Sequence, residues 1–289
     1  MNRPLVTVLD ATGAEGGSGL VAALLADRHR PYAVRAVVPR SSPDAAPALA
    51  AAGCDVVAAD LDDRALLEQA FAGSHGVFAA TGYWAHLSPE LERAQADVVA
   101  AAASAARVAH VVWSTPRPQA GAMRSFFRRD VPVTLLHTPF AWDNLIYLGI
   151  GPRRAADGAL ELVLPTGEQA LAGIAVADVG TVAAALFARR TWMLGQSIAV
   201  AGELLTGAQM AAAIGRAIGE PVRHAPLATG EYAALGFPGA AELADLFASG
   251  HEAGDVAATR MLHPGVLGFD AWLDRHAKHL PVPAAARRA

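Results

Sequence analysis

Lysine is nearly missing from this chain. Of its 23 basic residues 22 are arginine, and Lys278 carries the only ammonium group. A tyrosine activated by a lysine four residues on is therefore excluded, because Tyr32, Tyr83, Tyr147 and Tyr232 all lack one. Cysteine is equally scarce: Cys54 stands alone, so no internal disulfide can form. Met1-Asn2-Arg3-Pro4 leads straight into a strand-like run without a secretory apolar region, so a cytoplasmic location is expected. Charge is sparse as well, at 17% of residues with a net value of -4, and the arginines are scattered rather than massed. Nucleic acid is not an expected partner. The longest stretch without formal charge, Gln69 to Pro89, is interrupted by Gly73, His75, Gly76, Gly82 and His86 and does not read as a membrane span. One cysteine and ten dispersed histidines offer no metal-ligand spacing, so no metal is expected.

What is present is apolar and periodic. With 289 residues, 53% of them hydrophobic, the chain can bury a large core; it exceeds a typical single domain and predicts an α/β domain with a companion lobe. The first half alternates short β-like runs with alanine-rich helical stretches, the pattern of a doubly wound parallel sheet. Strands are expected at Leu5–Leu9, Ala33–Val38, Asp55–Ala58, Gly76–Ala80, His110–Ser114 and Val131–His137, with a first helix over Ser18–Ala26. Between the last two strands, Thr115 to Asp130 barely suffices for a parallel crossover, so any helix there is short. Beyond Pro139 the rhythm loosens, with a turn at Pro165-Thr166-Gly167 and helices around Gly207–Ile218 and Glu242–Ser249. The expected division is a nucleotide-binding domain over residues 1–138 and a smaller, mixed lobe over 139–289. Within the latter, about 170–200, including a helix over Val176–Arg189, returns to the main sheet. The proline- and alanine-rich tail from Pro281 has nothing to tie it down.

Directly after the first strand comes Asp10-Ala11-Thr12-Gly13-Ala14-Glu15-Gly16-Gly17-Ser18-Gly19, opening into the first helix. Strand, glycine loop and helix in that order form a cradle for a diphosphate, because glycines let the backbone approach and helix-terminal amides offset the charge. The competing explanation is a tight turn in which Thr12 and Glu15 make a capping box. Asp10 stands where the first glycine of a Gly-x-x-Gly-x-x-Gly fingerprint would fall. Its bulk and charge either weaken the site or turn away to hydrogen-bond nearby amides, and both alternatives stay open. After the second strand, Arg40 and Ser41 occupy the position that meets an adenosine ribose. An arginine pairs with a 2′-phosphate, where a carboxylate would select the free hydroxyl, so NADP is expected over NAD. Asp60, after the third strand, either accepts from the adenine amino group or caps the helix near Asp62-Asp63.

Taken together these motifs resemble the NmrA-like family of atypical short-chain dehydrogenase/reductases. Further matches are Thr81-Gly82-Tyr83-Trp84, Pro139-Phe140-Ala141-Trp142-Asp143-Asn144 and Leu235-Gly236-Phe237-Pro238-Gly239, so the likeness runs along nearly the whole chain. The resemblance implies a Rossmann-type NADP(H)-binding domain with a smaller C-terminal substrate lobe. Members are either redox sensors and transcriptional co-regulators or reductases of quinones and related molecules. It puts the dinucleotide on Thr12, Gly13, Glu15 and Gly16, the 2′-phosphate near Arg40 and the adenine near Asp60 and Leu61. Thr81 and Tyr83 fall along the nicotinamide half, with Asn144 near its end.

Without the tyrosine-lysine pair, hydride transfer still needs only a positioned nicotinamide and an electrophilic carbon, which favours a quinone or conjugated enone. Proton-donor candidates near strand ends are Tyr83 and Ser114 first, then His86 and His137; for His137 a core or surface role is the better expectation. Trp84, His86, Trp113, Phe140 and Trp142 are candidates to line the pocket of a flat hydrophobic substrate, with ordinary core packing an equal alternative for the four aromatics. The leading expectation is an NADPH-dependent reductase of a planar hydrophobic quinone, ketone or enone. The alternatives are a non-catalytic NADP(H) sensor, or a non-redox isomerase or cyclase on the same fold. The expected partner is a small aromatic or hydrophobic molecule, and a homodimer is left open.

Overall fold

The computed structural model describes residues 3–13, 15–41, 43–80, 83–116, 120–237, 239–248 and 254–283. The chain divides into two compact units, one formed by Met1–His137 with Val176–Ile198, the other by Thr138–Ala175 with Ala199–Ala289.

In chain order the first unit opens with β1 (Leu5–Val8), α1 (Gly17–Ala26), β2 (Ala33–Val38), α2 (Ala46–Ala51), β3 (Asp55–Ala58) and α3 (Arg64–Phe71). It continues with β4 (Ser74–Ala80), α4 (Tyr83–His86), α5 (Pro89–Ala105), β5 (His110–Thr115), α6 (Ala120–Phe127) and β6 (Val133–His137). The second unit then supplies β7 (Phe140–Ala141), α7 (Asn144–Tyr147), β8 (Arg153–Arg154), β9 (Leu160–Leu162) and β10 (Ala170–Ile174). The chain returns to the first unit for α8 (Val176–Ala188), α9 (Arg190–Met193) and β11 (Ser197–Ala199). It finishes with β12 (Glu203–Thr206), α10 (Gly207–Ile218), β13 (Val222–His224), α11 (Thr229–Ala233), α12 (Ala240–Ala248), α13 (Val256–Leu262) and α14 (Phe269–His276).

The main sheet has seven strands in the order β11-β6-β5-β4-β1-β2-β3. Every pairing from β3 through β6 is parallel. This is the Rossmann-type doubly wound architecture expected from the sequence. Strand order reverses between β1 and β4, and at such a switch point the crevice at the strands' C-terminal ends receives the ligand. One core cluster fills the space between β1–β6 and the helices α3, α5 and α6, with Leu67, Phe71, Val99, Trp113 and Phe126 inside it. On the unit's other helical face, α1 packs on α8 with glycines at the crossing. A Cβ on Gly180 would overlap the backbone of Gly19 and Leu20, and one on Gly19 would press Val176 and Ala177 at 3.0 Å. In the second unit two three-stranded sheets form, β12-β10-β7 and β13-β9-β8. No helix among the described residues is long and apolar enough to cross a membrane.

The short crossover between β5 and β6 holds the eight-residue α6, as its length requires. β6 begins at Val133 rather than Val131, because the Val131 amide is used by Phe126 O at the end of that helix.

Candidate functional site

The glycine loop begins where β1 stops. Leu9 N–H still donates to Phe78 O of β4 at 2.9 Å, and Asp10 then takes φ +58°, a left-handed conformation that L-residues other than Asn and Asp seldom accept. That turn sends the carboxylate back over the loop. Asp10 Oδ2 accepts from Glu15 N–H at 3.2 Å, the Gly17 amide also donates to the carboxylate, and a Cβ on Gly13 would coincide with it. The peptide closes beneath it through Gly13 N–H to Asp10 O at 3.0 Å and Ser18 Oγ to Gly13 O at 2.9 Å. Burial pushes the Asp10 carboxyl up to about 7, against the opposing pull of the Glu15 and Gly17 amides.

Gly16, at φ +105°, is the N-cap of α1, and no side chain caps it. The Thr12/Glu15 capping box is thus not formed. The glycines divide their work: Gly19 permits the α8 contact, Gly16 fits under Val179 of α8 and Phe78 of β4, and Gly17 lies against the Asp10 carbonyl. Ala14 lies outside the described residues.

At the ends of β2 and β3, Arg40 and Asp60 meet. Asp60 Oδ1 accepts from the Arg40 backbone amide at 3.0 Å, and its Oδ2 lies 3.1 Å from Arg40 Nε. The Arg40 side chain is 61% exposed and so remains open to solvent. Asp60 therefore orients Arg40. The helix-capping role belongs to Asp63, whose Oδ1 accepts from Leu66 N–H at 3.0 Å. Leu61 follows Asp60, half-buried.

After β4, Thr81 lies outside the described residues, as does the side chain of Trp84. Tyr83 is buried, and its ring meets His86 edge-on at 5.8 Å. Ser88 N–H donates to His86 Nδ1 at 3.1 Å, so the neutral imidazole carries its proton on Nε2. Ser88 also caps α5, accepting from Leu91 N–H at 3.1 Å. At the end of β5 the buried Ser114 hydroxyl donates to Glu15 O at 3.3 Å, tying that strand to the glycine loop. Trp113 points the other way, into the core beside Phe126. His137 Nε2 pairs with Ser197 Oγ of β11 at 2.6 Å.

Phe140, Trp142 and Asn144 belong to the second unit. Trp142 packs with Phe269 and Trp272, and a Cβ on Gly173 would strike its indole nitrogen. Phe140 meets Phe247 edge-on, and Asn144 is buried at the first turn of α7. Trp113 and Trp142 are thus packed as core within their own units. The sequence reading missed two connections, the Asp60 clamp on Arg40 and the Ser114 strut to the loop. A carboxylate at the same distance past β3 as Arg40 lies past β2 was the available signal for the first. The second has none, because its partner is a carbonyl that every residue carries.

These features define a dinucleotide-binding fold, with its glycine loop at the switch point and an arginine at the end of the second strand. A family model described as the NmrA-like family matches residues 2–126 and 129–265, and the chain belongs to that family. Solved structures agree on the fold. A Citrobacter sp. triphenylmethane reductase complexed with NADP(H) superposes with TM-score 0.78 at 19% identity, over 94% of this chain and 99% of that one. NmrA, a negative transcriptional regulator, gives 0.74 at 19%, over 96% and 95%. An NADPH-dependent quinone oxidoreductase from Escherichia coli complexed with NADPH gives 0.74 at 22%, over 95% and 99%. At these identities the likeness is one of fold.

Proposed function

We propose that the protein is an NADP(H)-dependent reductase of a small planar hydrophobic quinone, ketone or enone. The observation that carries this reading is the Arg40–Asp60 pair. An arginine side chain held at the end of the second strand and largely exposed matches a 2′-phosphate, where an NAD site carries a carboxylate for the free hydroxyl. The glycine loop fits the rest of the dinucleotide. The Asp10 carboxylate held by the Glu15 and Gly17 amides is a built-in stand-in for a phosphate, and it marks donors that converge on an anion. On this reading Arg40 holds the 2′-phosphate, while Thr12, Gly13, Glu15 and Gly16 cradle the diphosphate and Leu61 borders the adenine.

Bound NADPH supplies a hydride. The chain's own part is to hold the ribose phosphate, to exclude water beside the buried Tyr83, and to offer a proton to the product oxygen. The candidates for that proton are Tyr83, whose ring meets His86 edge-on, and Ser114, whose hydroxyl also ties the loop through Glu15 O. With no lysine four residues after Tyr83, an electron-poor carbonyl or quinone is the substrate class that suits a weak donor. The names of two relatives, a triphenylmethane reductase and a quinone oxidoreductase, support reduction of flat conjugated molecules.

The test is NADPH oxidation by the purified protein across a panel of quinones, enones and aromatic ketones. Saturable turnover with at least one class is expected; saturable NADPH binding without oxidation on any of them overturns the reductase reading. A second reading, an NADP(H) sensor that does no chemistry, is favoured by Ser114, the hydroxyl at a frequent catalytic position, which here serves the loop instead. Turnover of any panel compound overturns it.

A further inference from the structure

The geometry points to Asp10 as a resident anion that competes with the dinucleotide: its carboxylate occupies the amides at the head of α1 that the diphosphate needs, and binding requires it to leave or to lose its charge. The inference rests on the proposed NADP(H) site and names a control built into it. Three observations converge on it. The left-handed backbone at Asp10, φ +58°, is one that few residues with a Cβ adopt, and it aims the side chain inward over the loop. The carboxylate then fills the hollow above Gly13, where even a methyl group would collide with it. Finally, it draws on the amides of Glu15 and Gly17, on either side of the Gly16 N-cap of α1.

Two anions cannot share those amides without repulsion. The titratable groups on the elements around the loop are Glu15 on the loop itself, Asp178 on α8, His75 on β4, Tyr83 and His86 on α4, and His110 on β5. Burial and the two amides, rather than these charges, hold Asp10 at about 7, so it changes charge near neutrality. Above that value the ionised carboxylate occupies the amides, and below it the neutral acid yields them more readily.

NADPH titrations of the parent, Asp10→Gly and Asp10→Asn at pH 6 and pH 8.5, followed by nicotinamide fluorescence and by calorimetry, test this. At pH 8.5 Asp10→Gly is expected to bind roughly tenfold or more tightly than the parent, and the gap should narrow to a few-fold at pH 6. Taking the ratio to the parent cancels titration of the cofactor's own phosphate. Asp10→Asn should show no such pH-dependent gap to Asp10→Gly. Equal affinities in all three proteins, or a gap unchanged between the two pH values, overturn the role of Asp10 while leaving the NADP(H) site intact. Failure of every protein to bind NADPH at either pH overturns both the site and the competition.

Discussion

On the proposed reading, Arg40 and Asp10 make opposite demands on an anionic ligand at the edge of one sheet. Arg40 would attract it, and Asp60 holds Arg40 through a main-chain and a side-chain contact. Arg40→Ala is therefore expected to weaken NADPH binding about tenfold in a titration while leaving NADH affinity nearly unchanged, since a charge-assisted contact to a partly exposed phosphate is worth about 1.5 kcal/mol. An Arg40→Ala protein that still prefers NADPH contradicts the assignment. Asp10 also leaves a mark on stability. Its folded value near 7 lies above the roughly 3.9 of an unfolded aspartate, so its contribution is fully present below about pH 4 and is lost as pH rises through 7. Asp10→Asn should thus become progressively more stable than the parent between pH 5 and pH 8 in urea unfolding. A constant difference across that range would show that the carboxyl is not buried as described.

At the scale of elements, the site depends on two junctions. The first is the α1–α8 crossing, where Gly19 and Gly180 allow backbone to approach backbone directly under the glycine loop. Gly180→Ala places a methyl group into the α1 main chain and should destabilise the protein by about 1–3 kcal/mol in chemical denaturation. Gly73, open on all sides with φ +75°, is no such contact point, and substitution there costs only the strain of its left-handed backbone. The second junction is the turn from α4 into α5, which Ser88 organises by capping α5 with its hydroxyl and holding His86 Nδ1 with its amide. Ser88→Ala should cost about 1 kcal/mol of stability through the lost cap and leave the His86 contact, made by the main chain, in place.

For the molecule as a whole, acid acts through a buried histidine. His110, at the start of β5, donates from Nε2 to Thr134 Oγ1 at 2.8 Å, while the Thr134 hydroxyl donates to Met193 O at 2.7 Å. Burial first, then the charges of Arg190 and His75, hold the imidazole down to about 4. Its neutral form is stabilising above the unfolded value of about 6.5, and that contribution is lost as pH falls from there to about 4. The parent should lose stability across this window more steeply than His110→Gln, as measured by thermal unfolding at fixed ionic strength; parallel curves would refute the assignment. The second unit has its own anchor in the Trp142, Phe269 and Trp272 cluster.

Backbone pattern was readable directly from the chain. The limits of β2, β3 and α10 agree with the sequence reading, because each is a short periodic run bounded by turn residues, and local sterics decide such runs. The placement of the glycine loop and of Arg40 was legible for the same reason: the first needs only adjacency to β1 and α1, and the second only its position after β2. Side-chain fate was not legible. Trp113 and Trp142 carry one signal for pocket wall and for core, and only the packing of Phe126, Phe269 and Trp272 around them decides between the two. The destination of Asp10 was likewise undetermined, since turning out to solvent and turning in over Gly13 are both open to an aspartate in a loop. Partners distant in the chain settle such questions: Asp60 for Arg40, the β5 hydroxyl of Ser114 for the Glu15 carbonyl, and burial by the assembled fold for the Asp10 carboxyl. Local periodicity encodes elements, whereas contacts and dielectric arise only when remote segments meet.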